Sequence, residues 1–109
     1  MRLVRKIEKN RILISDWGIY ELSEEQQAKY NGKFALSQGI ISDFALENKG
    51  EDTFIDGLHD YQYEGIFQTE LEAFYQVKLL EMQKEIERLK DAVSEFSNTK
   101  IPEWYQAAR

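Results

Sequence analysis

The stretch YQVKLLEMQKEIERLKDAVSEF, residues 75–96, decides how this chain is read. Its apolar residues fall at Tyr75, Leu79, Met82, Ile86, Leu89, Val93 and Phe96, with spacings of 4, 3, 4, 3, 4 and 3. Apolar residues alternating at three and four line one side of a helix, and sustained over three heptads they make the seam of a coiled coil. With Leu79, Ile86 and Val93 at a, the d positions hold Tyr75, Met82, Leu89 and Phe96. Glu85 then sits at g and Lys90 at the following e, so the two attract across a parallel interface. Glu81/Lys84, Glu85/Arg88 and Glu87/Lys90 are neighbours three apart on the outside. No Gly or Pro interrupts residues 66–101, and Ser97-Asn98-Thr99 followed by Pro102 supplies the stop. The pattern predicts a helix over 66–97, about 48 Å long.

Upstream the seam shifts, because Phe67, Leu71 and Phe74 continue a 4, 3 spacing that does not join the later register. One helix therefore presents two apolar faces. Residues 66–77 are expected to pack on the N-terminal part of the chain and residues 75–96 on another helix. The other helical candidates, 24–30 and 40–47, are much shorter than the seam. A second copy of the chain is the economical source of a partner helix, in a dimer or a trimer; the alternative is a monomer in which the short helices and the tail cover the seam.

Residues 2–8 and 11–16 are rich in β-branched side chains and flank Lys9-Asn10, which reads as a β-hairpin turning at Asn10. Trp17-Gly18-Ile19-Tyr20 extends the second strand, with Gly18 marking a bulge or bend. Ser23-Glu24-Glu25-Gln26 matches a capping box and predicts a short helix over 24–30, closed by Asn31-Gly32 in the left-handed conformation. A strand is expected near 33–37. Residues 40–47 fit both periods, since Ile40, Ser42, Phe44 and Leu46 alternate while Ile40, Ile41, Phe44 and Ala45 share a helical face. Residues 48–52 read as a turn and 53–65 as irregular, broken at Gly57 and Gly65. The expected fold is α+β: a small N-terminal β-hairpin-containing unit, residues 1–65, then a long C-terminal helix over 66–97 forming an oligomeric coiled coil. An aromatic tail over 98–109 follows, whose Trp104 and Tyr105 either dock back on the assembly or capture a partner.

The length of 109 residues suits one domain, and 42% hydrophobic residues supply one modest core. No apolar run approaches the roughly 20 residues of a membrane span. The basic start lacks the apolar segment of a secretory signal, so the chain is expected in the cytoplasm or in a virion assembled there, without membrane contact. Charge is segregated: residues 1–11 carry a net +4, residues 12–65 a net −8 and residues 66–109 a net −2. Arg2, Arg5 and Lys6 make a basic edge that either meets a partner or keeps an edge strand from pairing. The acidic middle, with Asp43, Asp52, Asp56, Asp60 and Glu64, speaks against direct nucleic-acid binding.

Chemistry is sparse. The absence of Cys removes thiolate nucleophiles, disulfides and zinc ribbons, and one His leaves little acid–base apparatus. Asp52, Asp56, His59 and Asp60 have the spacing of hard-metal ligands on a helical turn, but Gly57 interrupts the turn and no second His supports it. The stretch reads as a solvated acidic loop, with no metal and no cofactor. Gly-x-Gly never occurs, and neither a phosphate-cradling loop nor a nucleophile elbow is present. The expectation is a protein that is not an enzyme.

A strand over Arg11 to Trp17, a capped helix and turn over Leu22 to Gly32 and a terminal heptad helix over Phe74 to Phe96 give a layout that resembles small bacteriophage structural or tail-associated proteins. The resemblance is one of organisation and implies a virion or assembly role; no functional residue is carried over by it. The leading expectation is a non-enzymatic structural or adaptor protein that self-associates through its C-terminal helix and docks on a larger protein assembly. The alternative is a small acidic inhibitor whose block 43–64 mimics nucleic-acid phosphates and fills a basic groove on a host enzyme.

Overall fold

A computed structural model of the chain describes residues 1–58 and 63–98, with side chains to residue 95 in the last helix. The order is β1 (Arg2–Ile7), β2 (Trp17–Glu21), α1 (Glu24–Tyr30), β3 (Phe34–Gln38), α2 (Asp43–Lys49), α3 (Glu51–Leu58), β4 (Gly65–Phe67) and α4 (Glu70–Asn98). The four strands form one antiparallel sheet in the order β1-β2-β3-β4, which with α4 makes the fold α+β.

β2 is central and buried along Trp17-Gly18-Ile19-Tyr20, as a strand covered on both faces must be. Its alternate residues serve two cores. Trp17 and Ile19 join Leu36 of β3 and Ala73, Val77 and Leu80 of α4. Tyr20 and Leu22 join Ala35 on the other face, with Tyr30 of α1 and Ile55 and Leu58 of α3. The sheet therefore lies between α4 and the α1–α3 layer. β4, Gly65–Phe67, crosses the boundary expected between residues 65 and 66, so the sheet and the first half of α4 share a core. The long helix starts at Glu70 rather than at residue 66.

The expected hairpin is displaced. β1 pairs with Trp17–Glu21, not with residues 11–16, and residues 8–16 form a loop. The Asn10 side chain explains this: its Oδ1 accepts from the backbone N–H groups of Ile12 and Leu13, at 2.8 and 2.9 Å, folding the segment locally instead of extending it. Asp16 Oδ1 accepts from the Lys9 N–H at 2.7 Å and closes the loop. That hydrogen bond is the main reason the Asp16 carboxyl lies below its ordinary range. Leu13 plugs the α4-side core while Ile14 stays exposed. The irregularity placed at Gly18 lies instead in β1, where the register slips between Leu3 and Arg5.

α1 forms as its capping box requires, with Ser23 Oγ accepting from the Gln26 N–H and Gln26 Oε1 accepting from the Ser23 N–H. Asn31 takes the left-handed conformation at its end, φ 54° and ψ 45°, and Gly32 serves another purpose. A Cβ at Gly32 would clash with the Ile66 Cγ2 methyl, so the turn into β3 passes against β4 with no room for a side chain unless Ile66 shifts.

Residues 40–58, expected to be ambiguous and then irregular, hold two helices. Ser42 caps α2, its Oγ accepting from the Ala45 N–H, with Asp43 in the first turn and Lys49 in the last. After Gly50, α3 begins with Glu51 and Asp52 and turns Ile55 and Leu58 into the core. Gly57 does not break α3, and a Cβ there would meet nothing within 4 Å, so packing does not require glycine at that position.

Candidate interaction surface

The site is built on α4, a helix of 29 residues and about 43 Å. Ala73, Val77 and Leu80 are buried against the sheet. Tyr75, Leu79 and Met82 each lie two residues after one of these, a turn of about 200° around the helix, and so on its opposite side. The core stripe that sequence reading assigned to Phe67, Leu71 and Phe74 is thus carried mainly by Ala73, Val77 and Leu80, with Phe67 and Phe74 at its margin and Leu71 exposed. The 4, 3 spacing of Ala73, Val77 and Leu80 was visible, but Ala73 is small and its neighbours Phe74 and Leu79 overshadowed the pattern.

The seam itself is uncovered among the described residues. Tyr75, Leu79, Met82, Ile86, Leu89 and Val93 are between 45% and 63% exposed. Beyond Ile86 the exposure extends all round: every residue from Ile86 to Glu95 is exposed, so none of them is covered by the sheet or by the other helices. Two shallow apolar grooves follow the seam, one beside Tyr75, Leu79 and Met82 and the other between Ile86, Leu89 and Val93. The backbone of Phe96 continues the helix; its side chain lies outside the described residues.

Several charged residues near the seam are engaged along their own chain. Glu85 pairs with Arg88 one turn on, which lowers the Glu85 carboxyl below its ordinary range, and Arg11 approaches it at 3.6 Å. Lys78 pairs with Glu81. Lys90 at e has no ion pair among the described residues.

The basic edge proves to be an edge strand whose cations meet acids of the same chain. Arg2 pairs with Glu21, Arg5 with Glu70 at 2.6 Å and Lys6 with Asp16 at 3.6 Å. Arg5 also lies over the Phe74 ring, 4.9 Å from its centroid, with Lys78 at 5.2 Å. These exposed pairs stabilise little individually, and of the three only Arg5–Glu70 links β1 to the first turn of α4. Trp104 and Tyr105 lie outside the described residues.

Several of the acidic residues have partners within their own chain. Asp52 pairs with Lys29 at 2.9 Å, which lowers the aspartate and raises the lysine, and Asp56 interacts with Tyr30. Asp43 stands in the first turn of α2. Glu64 is half-buried; desolvation pushes its carboxyl upward against a hydrogen bond from the Gln38 N–H. Glu51, not singled out by sequence, accepts from the Met1 ammonium at 2.6 Å and from Gln26 Nε2 at 2.8 Å. Asp60 and His59 lie outside the described residues, and among those described no group of three His, Asp or Glu side chains is placed to hold a metal. No described helix is long and apolar enough to cross a membrane.

No protein-family model, curated protein or solved structure matches this chain.

Proposed function

We propose that the protein is a non-enzymatic structural or adaptor component that self-associates through α4 and fixes the number and spacing of the heads it carries. The observation that supports this is the two-sided helix: one stripe of α4 completes the core, and the opposite stripe presents Tyr75, Leu79, Met82, Ile86, Leu89 and Val93 to solvent. Fully burying an exposed Leu, Ile, Val or Met contributes about 1.5–3 kcal/mol, and these side chains, already about half covered, gain about half of that each. A helical arm of this length is marginal when unsupported in water, so residues 86–95 gain most from a partner. A setting in a virion or another large assembly rests on organisation alone, and on less of it than the sequence suggested: residues 11–16 are loop, which leaves α1 and α4 to carry the likeness.

The acidic-mimic reading gains no comparable support, since Asp52 and Glu64 are held by Lys29 and the Gln38 backbone of their own chain. The test is Leu89→Lys. It places a charge in the seam without touching the core, and it should reduce the solution mass to the 12.9 kDa of one chain while leaving the circular dichroism of the head intact. An unchanged multiple of that mass would contradict the reading.

A further inference from the structure

We infer that the occupant of the seam is a second copy of this chain, aligned parallel and in register, so that two heads stand at one end of a two-stranded coiled coil. This rests on the proposed self-association and adds its copy number and direction. Three observations carry it.

The first is which side of α4 the head occupies. Ala73, Val77 and Leu80 bind the sheet at the b and f positions of the heptad, on the side of the helix remote from a and d. Two parallel helices can close along Leu79, Met82, Ile86 and Leu89 with both heads on the outside. The core of each chain is left as it is.

The second is charge. In a parallel pair a g residue faces the e residue of the next heptad on the other helix. Glu85 then faces Lys90 of the second copy, twice by symmetry, and Lys90 acquires the acid it lacks within its own chain. Glu85 keeps Arg88 at the same time, because a carboxylate has about four acceptor positions. One antiparallel register of the seam sets Ile86 against Leu89 and Val93 against Met82. There Glu85 faces Ala92 and Lys90 faces Gln83, and neither charge is met. Sliding that register by one heptad sets Glu85, or Lys90, against its own copy. Both arrangements are poorer than the parallel one.

The third is side-chain shape. β-branched Ile86 and Val93 at a, with Leu89 at d, favour two strands over three or four.

The chain lacks cysteine, so single-cysteine variants report geometry without background. Leu89→Cys and Ile86→Cys change exposed residues of the free arm, and preserved circular dichroism will show that each still folds. A parallel in-register dimer brings the two Cβ atoms at position 89 within disulfide reach of roughly 4 Å. Diamide, as the two-electron oxidant, should therefore convert most of the Leu89→Cys protein to a covalent dimer. An equimolar mixture of the two variants should give little of the 86–89 cross-linked species. A dimeric mass with the 86–89 product dominant would overturn the parallel alignment and leave self-association standing. A trimeric mass would overturn the copy number. A wild-type chain that stays at 12.9 kDa at every concentration would overturn the reading beneath both.

Discussion

Ile55 is fully buried, among Tyr20, Leu22, Tyr30 and Ala35, and gives α3 its hold on the sheet. Ile55→Ala leaves a cavity there, and we expect a loss of about 2–5 kcal/mol in chemical denaturation; a loss below about 1 kcal/mol would mean α3 is not packed as described. Ser23→Ala removes the acceptor for the Gln26 N–H and should cost about 1 kcal/mol. Glu64 makes a pH-dependent prediction. Burial raises its carboxyl, so the folded chain holds that proton to higher pH than the unfolded chain, and stability falls as pH rises from the ordinary value of 4.5 through the raised one. Glu64→Gln has nothing to ionise at that position. Relative to wild type it should gain stability at pH 7 over pH 4, and the lowered carboxyls of Glu51 and Asp52, common to both proteins, cancel from the comparison. Equal differences at the two pH values would contradict the burial of Glu64. Individual residues were unevenly legible. The reciprocal bonds of Ser23 and Gln26 follow from their spacing, whereas Asn10 had two uses, a hairpin turn or a side chain that caps its own loop, and the sequence does not choose between them.

Among the elements, legibility followed length and the kind of signal. α4 repeats its pattern over enough turns that periodicity identifies it, including the face left exposed. α2 and α3, with seven and eight residues, are too short for periodicity to decide, and α2 buries no residue completely. Their evidence lay in the caps, Ser42 before Asp43 and the acids Glu51 and Asp52 after Gly50, which are local and easily read as turn chemistry. β4 has three residues and is specified by its partner: Ile66 pairs with Ala35 and Phe67 with Phe34. No local signal distinguishes it from the start of a helix. Two substitutions should separate the faces of α4. Val77→Asp, on the core side, should unfold the chain, because it buries a charge without a partner. Ile86→Lys, on the exposed side, should leave the thermal transition of a dilute sample nearly unchanged while abolishing self-association. If both variants unfolded alike, the two-faced description of α4 would fail.

As a whole, the molecule is elongated, 65 × 26 × 21 Å with a radius of gyration of 19.5 Å, against about 13 Å for a compact domain of this length. The cause is α4, which completes a core with its first half and carries the second half past it. The α+β class and the long C-terminal helix were readable from the sequence. The four-stranded sheet between two helical layers was not, because its pairings join residues far apart in the chain, as in β3 with β4. The apolar spacing from Tyr75 to Val93 is readable in the sequence, and in the structure these side chains are exposed; their pairing with a second helix is the proposal. Self-association makes stability depend on concentration, so the most direct measurement is the mass of the wild-type chain by light scattering over a concentration series. The account predicts 25.8 kDa, twice 12.9 kDa, falling toward one chain on dilution. A mass of 12.9 kDa at every concentration would contradict it.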